Sequence, residues 1–526
     1  MRRVNGSVVR AMSVGSLAMA AALGLGPEAA GQAGLCQLDK LLAADGVAND
    51  IFGTSVSVSG DVAVVGAILD DDNGTSSGSA YIYRFNGTTW VQEQKLLADD
   101  GAAGDRFGIS VSVSGAPGSE VAVVGAHFDD DNGSESGSAY IYRFNGAMWV
   151  QEQKLLASDG AANHVFGHSV SVSGAPGSEV AVVGANGDDD NGTSSGSAYI
   201  YRFNGAMWVQ EQKLLADDGA QFEGFGFSVA VSGAPGSEVV VVGADGDDDN
   251  GSSSGSAYIF RFNGAMWVQE QKLTASDAAQ FDLFGTSVSI SGAPGSEVAV
   301  VGANQDDDNG LDSGSAYVYR FDGAMWVQEQ KLLADDGAAN DLFGTSVSIS
   351  GAPGAEVAVV GAYQDDDNGI NSGSAYIYRF NGATWAQEQK LLAFDGAVSD
   401  HFGKSVSVSS APGAEVAVVG ASLDDDNGTD FGSAHIGDLR TFRLCTDCNA
   451  NGVADFLDLV NGADIDCNDN LIPDACDIAG GFSMDADVNG IPDECEVSAC
   501  PGDINGDGVT DVTDLLTLLA AWGACP

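Results

Sequence analysis

Between Cys36 and Cys445 the chain has no cysteine, although it holds eight in all. The long central body therefore has no disulfide, and its stability must come from packing. Basic residues are scarce: 20 Lys and Arg stand against 75 Asp and Glu, a net charge of −55. That balance excludes a general nucleic-acid-binding role, which needs cations to displace phosphate counterions. With five His in the chain, few sites can be built on imidazole. No nucleophile elbow, P-loop or dinucleotide fingerprint occurs. Long apolar runs are missing except at the start, where Arg2, Arg3 and Arg10 precede the small, apolar Ala11–Gly26. Small residues follow to Ala33, so residues 1–33 read as a secretory signal, too short and too weakly apolar to span a membrane. Leu35 before Cys36 argues against a lipid-anchored cysteine. No membrane span is expected elsewhere.

One unit recurs seven times, its Phe-Gly pair starting at Phe52, Phe107, Phe166, Phe225, Phe284, Phe343 and Phe402. The first interval is 55 residues and the next five are 59, the short copy lacking an Ala-Pro-Gly-Ser-type insert. Repetition at this period marks a propeller or similar array; a β-helical solenoid needs a much shorter one. Each unit carries four strand-like runs. Ser-Val-Ser-Val-Ser alternates like a strand with one buried face. Val-Ala-Val-Val suits a strand covered on both faces. Ala-Tyr-Ile-Tyr-Arg-Phe is aromatic and β-branched, and Trp-Val-Gln-Glu-Gln-Lys-Leu alternates again. Gly, Pro, Asn and Asp between the runs supply tight turns. The expected fold is an all-β, seven-bladed β-propeller over residues 34–444.

The seventh copy lacks its Trp-Val-Gln-Glu-Gln-Lys-Leu run, and the matching Gln37-Leu-Asp-Lys-Leu-Leu-Ala lies at the front of the chain. The amino terminus is thus expected to complete the last blade and remove the open sheet edges. A Cys36–Cys445 disulfide would lock such a ring.

In an up-and-down blade, the loop leading into the first strand and the loop between the second and third strands emerge on one face. Both are acidic, the second being Asp-Asp-Asp-Asn-Gly (Asp129–Gly133 in the second copy), whereas the turns on the other face are nearly neutral. Two readings stay open: a solvated rim that keeps an exported protein soluble, or a surface for Ca²⁺ or a basic partner. His164 stands where the other copies carry Asp50, Asp105, Glu223, Asp282, Asp341 and Asp400. His168 is close by in sequence, with no third ligand evident.

Phe-Gly-x-Ser-Val, then Val-Val-Gly-Ala and Gly-Ser-Ala-Tyr-Ile-Tyr, resembles the FG-GAP repeat of integrin α-subunit propellers and their bacterial relatives. The resemblance covers residues 36–444. It implies an extracellular, non-catalytic propeller used for adhesion or protein contact, often with bound calcium. One feature departs from the family. Its Asp-rich calcium loop lies between strands one and two, where this chain has Gly-Ala-Pro-Gly-Ser-Glu.

After Cys445 the composition changes, and a 12-residue oxygen pattern begins at Asp447, Asp466, Asp485 and Asp503. The first copy offers Asp447, Asn449, Asn451, Val453, Asp455 and Asp458. The second offers Asp466, Asn468, Asn470, Asp474 and Asp477, with Leu471 in place of Gly. The third offers Asp485, Asp487, Asn489, Asp493 and Glu496, and the last Asp503, Asn505, Asp507, Val509, Asp511 and Asp514. Ca²⁺ needs six to eight oxygens, and alternate residues of a tightly wound loop supply them, with one backbone carbonyl, given by Val453 and Val509. These loops are expected to bind Ca²⁺ as an EF-hand-like, disulfide-bonded module. Residues 445–499 resemble thrombospondin type 3 repeats, and 500–526 resemble half of a type I dockerin, whose partner would be a cohesin. Cys500 and Cys525 are expected to pair, and Cys448, Cys467, Cys476 and Cys495 to form two bridges of open connectivity.

The chain is therefore expected to be a secreted, calcium-binding, non-catalytic adhesion or interaction protein, with an extracellular protein or glycan as partner. The alternative is a non-catalytic module of a polysaccharide-degrading system held by the dockerin-like end. A glycosidase or lyase comes third, since near-identical copies supply the same residue at every blade and only their deviations can build a unique site.

Overall fold

A computed structural model of the chain describes residues 38–439, apart from 175, 234, 412 and 413. The expected signal segment, Cys36, Cys445 and every residue of the expected C-terminal calcium loops lie outside the described residues. So do all the proposed disulfides.

Seven four-stranded antiparallel sheets form, each meandering from its first strand to its fourth. Blade 1 is Phe52–Ser59, Val62–Ala67, Ser79–Phe85 and Trp90–Leu96. Blade 7 is Phe402–Ala411, Ala414–Ala421 and Ser433–Asp438, and its fourth strand is Asp39–Leu41 from the front of the chain. Asp39 pairs with Ile436, Lys40 with His435 and Leu41 with Ala434. The ring closes as the missing run in the seventh copy predicts.

The hydrophobic cores lie between blades. Val62, Val64, Ala80, Ile82 and Leu96 of blade 1 pack on Phe107, Val113, Val124, Tyr140 and Trp149 of blade 2. The second strand of each blade thus has a core on either side, which is why Val-Ala-Val-Val carries no polar face. At the closure, Leu41, Val418 and Ile436 meet Phe52, Val65 and Tyr81 in the same arrangement. Phe107 is wedged edge-on against Tyr140, with ring centroids 5.4 Å apart, and burying such a ring contributes about 2 kcal/mol.

The alternating serines of the first strand link one blade to the next. Ser55 donates to the carbonyl of Gly108 at 2.7 Å, and six equivalent bonds complete the circle, the last from Ser405 to Gly53. Gly108 has φ of 95° and lies so close to blade 1 that a Cβ there would run into the Ser79 carbonyl, which is what the Gly of Phe-Gly is for. Two residues on, Ser57 accepts the Val113 N–H at 3.0 Å. Five more such bonds follow around the ring. Blade 4 breaks this second circle, because Ala230 stands where a serine would accept from Ile290. The serine side of the period-two pattern is therefore an interface between blades, where the alternation alone suggests a solvated face.

On the face carrying the neutral turns, Arg84 ties its own blade to the next, bonding Glu93 at 3.1 Å and the buried Glu120 of blade 2 at 2.8 Å. Trp149 of blade 2 returns a bond to Glu93 at 3.1 Å.

Candidate interaction surface

The two acidic loops do meet on one face, and a lysine from the fourth strand sits between them. Lys154 Nζ lies 2.8 Å from Asp100, 2.9 Å from Asp129 and 2.6 Å from Asp131. The other six blades repeat this with Lys40, Lys95, Lys213, Lys272, Lys331 and Lys390. Burial alone would lower the pKa of Lys154, but the three carboxylates outweigh it and hold the ammonium charged well above the usual lysine range. The first Asp of every loop is buried. Asp129 also accepts the Tyr140 hydroxyl at 2.8 Å, and its other oxygen accepts the Asp131 N–H at 3.1 Å. The second Asp caps its own loop, Asp130 accepting the Glu135 N–H at 2.7 Å.

These contacts test whether the blade loops suit calcium. A hard divalent ion needs six to eight free oxygens. Here both oxygens of the buried first Asp are taken by a backbone N–H, a tyrosine and an ammonium that already occupies the cationic position. In the six blades that keep the tyrosine, the Asp-Asp-Asp-Asn-Gly loops do not fit Ca²⁺; they are structural turns closed by lysine. Sequence reasoning missed the lysine because it lies 25 residues beyond its buried Asp, on another strand.

What remains distinctive on this face is its variation. The turns of the opposite face, Gly-Ala-Pro-Gly-Ser-Glu and Phe-Asn-Gly-Ala-Met, barely change from the second copy to the fifth. On the acidic face the residue after Phe-Gly is Thr54, Ile109, His168, Phe227, Thr286, Thr345 and Lys404 in turn. The residue after Val-Val-Gly-Ala is Ile68, His127, Asn186, Asp245, Asn304, Tyr363 and Ser422. These two variable positions meet across blade boundaries. The His127 and His168 rings are 5.8 Å apart, His168 and Phe227 are 5.0 Å apart, and Lys404 lies 4.3 Å over Tyr363. Burial pushes His127 down to about 3 and His168 to about 4, so both are neutral at physiological pH, and it pushes Asp245 up to about 6.

Around this inner set the loops of blades 4 to 7 expose apolar side chains: Phe222, Phe281, Leu311, Ile370, Phe394 and Val398. Phe222 is 63% exposed with φ of 67°, and Phe281 is 53% exposed with φ of 71°. At the same left-handed position other copies carry Asn49, Asn163 and Asn340, the residue type that tolerates it. These phenylalanines break a local rule without burying themselves. A column-by-column comparison of the copies would have found them in the sequence.

His164 does not converge with His168. Its Nδ1 lies 3.3 Å from the fully buried Asp188, while His168 contacts His127 and Phe227.

The family described as FG-GAP repeat matches residues 36–83, 90–142, 149–201, 208–260, 267–319, 326–378 and 385–437. The chain belongs to the FG-GAP repeat family. Each complete FG-GAP unit runs from the outer-strand Trp of one blade, such as Trp90, through three strands of the next, to Tyr142. The first begins at residue 36, so the family's own phase agrees with closure by the amino-terminal strand. No curated protein matches the chain. Among solved structures, the crystal structure of Saccharomyces cerevisiae Sqt1 is similar, with a TM-score of 0.41 and 11% identity over 76% of this chain and 99% of that one. An FG-GAP propeller points to a protein-interaction role. Among the described residues no helix is long and apolar enough to cross a membrane.

Proposed function

We propose that this FG-GAP propeller is a secreted, non-catalytic interaction protein that engages an extracellular protein or glycan through its acidic, variable face. One observation carries the reading: Phe222 and Phe281 stand exposed in a left-handed backbone conformation that other copies give to Asn. An exposed aromatic in a disfavoured conformation costs stability, which points to use by a partner. The carboxylates around it favour a partner surface of basic character. The C-terminal loops, from Asp447 to Asp514, supply Ca²⁺ sites that brace a small tail with little apolar core. A tail of that kind serves as spacer or docking element.

The test is a screen of glycans and matrix proteins against the wild-type chain and a Phe222→Asn/Phe281→Asn variant. Both replacements are residues that other copies already use at that position, so the variant keeps the fold. The expected result is a ligand captured by the wild type and lost by the variant. A ligand bound equally by both would overturn the assignment of this face.

A further inference from the structure

Blade 7 departs from the other six at one buried place. Elsewhere a tyrosine of the third strand places its hydroxyl between two carboxylates; Tyr376 is 2.9 Å from Asp365 and 3.0 Å from Asp336. In blade 7 that tyrosine is His435, which is completely buried. The imidazole brings no hydroxyl to that position. Asp395 Oδ1, the atom that would have received it, is buried without a hydrogen-bond partner, and so is His435 Nδ1. One ligand atom from each of Asp395, Asp424 and His435 lies within 4.8 Å of the others. A second substitution accompanies the first. Phe394 replaces the Asp or Ser of five other copies, and its ring is 6.1 Å from that of His435, with Phe402 at 5.3 Å on another side.

From this geometry we infer a divalent transition-metal site, of the zinc class, held by His435, Asp395 and Asp424. One imidazole nitrogen and two carboxylate oxygens, with water completing the shell, make a donor set suited to Zn²⁺, whereas Ca²⁺ takes oxygens throughout. Lys40 does not block it. Its ammonium bonds Oδ2 of Asp395 and of Asp424, each at 2.7 Å, which leaves Asp395 Oδ1 for the ion, while Asp424, whose Oδ1 accepts the Asp426 N–H and whose Oδ2 accepts from Ser433, shares an oxygen with it. Three carboxylates (Asp395, Asp424, Asp426) and one ammonium carry a net charge of −2, which a divalent ion neutralises. Ser433 sets the ligands, donating to Asp424 at 2.7 Å and lying 3.1 Å from His435 Nε2. The ligands come from the loop leading into blade 7, its second connection and its third strand, beside the amino-terminal strand that completes it. Metal at this place fastens the seam of the ring.

The experiment uses the full chain, stripped with chelator and titrated with Co²⁺ and with Zn²⁺, beside His435→Tyr and Asp395→Asn. His435→Tyr installs the residue that the six other blades carry there, so it keeps the fold; Asp395→Asn is a second, near-isosteric check. The expected result is one more tightly bound Co²⁺ per wild-type chain than per variant chain, with the visible absorption of four-coordinate cobalt. Each variant loses affinity by about 100-fold or more. Zinc also raises the melting temperature of the wild type and not of the variants. Equal metal uptake by wild type and both variants, or a wild type without the cobalt band, overturns the inference and leaves water in the tyrosine's place.

Discussion

Ser405 donates its hydroxyl to the carbonyl of Gly53 at 2.9 Å across 352 residues of sequence. Six identical bonds join the other neighbouring blades, so the seam is built like every other boundary. The closing blade differs in taking its fourth strand from the front of the chain and in carrying His435 and Asp438 where the other blades have Tyr and Arg. Removing residues 34–43 from the mature protein deletes that strand with Leu41 and Lys40. The truncated chain is expected to melt lower and to be cut by proteases at conditions the full chain survives. Calorimetry and limited proteolysis check this; equal resistance would refute closure by the amino terminus.

Ala230 interrupts an otherwise complete circle of serine hydroxyls. Ala230→Ser supplies the acceptor for the Ile290 N–H, and the expected gain is about 1 kcal/mol, the net worth of one hydrogen bond. The reverse change at an intact position, Ser289→Ala, is expected to cost about as much. Chemical denaturation of both variants measures the two values; loss of stability in Ala230→Ser would show that the site has no room for the hydroxyl.

Lys213 is bonded to the fully buried Asp188 at 2.8 Å and to Asp159 and Asp190. Lys213→Met keeps the aliphatic stem and strands a carboxylate in the interior. The expected loss is about 3 kcal/mol, the penalty of an uncompensated buried charge. Added calcium is not expected to restore it, because Asp188 Oδ1 and Asp189 Oδ1 stay bonded to backbone N–H groups. Recovery of the melting temperature on adding calcium would show that the loop accepts the ion after all.

Asp341 titrates on the alkaline side of its class. Burial, with the charges of Asp365 and Asp366 beside it, pushes it up from the usual 3.8 to about 6. Its folded form prefers the proton, so the stability it contributes is present below pH 3.8 and is lost as pH rises through 6. Asp341→Asn carries no charge and keeps a carbonyl oxygen for the Ala338 N–H. The variant is expected to be more stable than wild type at pH 7.5, by on the order of 1 kcal/mol after allowing for solvent screening, with the difference gone by pH 4. Melting curves across that range decide it.

Phe222→Asn is expected to stabilise the chain by about 1 kcal/mol, because Asn accepts the left-handed conformation that Phe resists. Thermal denaturation gives the value. A marked loss would mean that the exposed ring packs on the fold and is not held out for a partner.

The blades, their turns and the borrowed strand were legible because each rests on local pattern: period two, Gly-rich turns and a unit with one run missing. The lysine cages were not, since Lys154 meets Asp100 and Asp129 only after the sheet folds. The serines of the first strand were misleading for a related reason. Alternation shows which side chains share a face, and it does not show whether that face meets water or another blade. His435 was visible as a letter among five histidines, but its meaning depends on the tyrosines of the other copies and on the space they fill.

The phase of the repeat has a consequence for ring size. Every unit starts in one blade and ends in the next, so the two ends of the array stay complementary whatever number of whole units lies between them. Sevenness is therefore not written into the joint. It is set by the angle at which one blade leans on its neighbour, and so by the bulk of side chains such as Phe107, Tyr140 and Trp149 that hold two sheets apart.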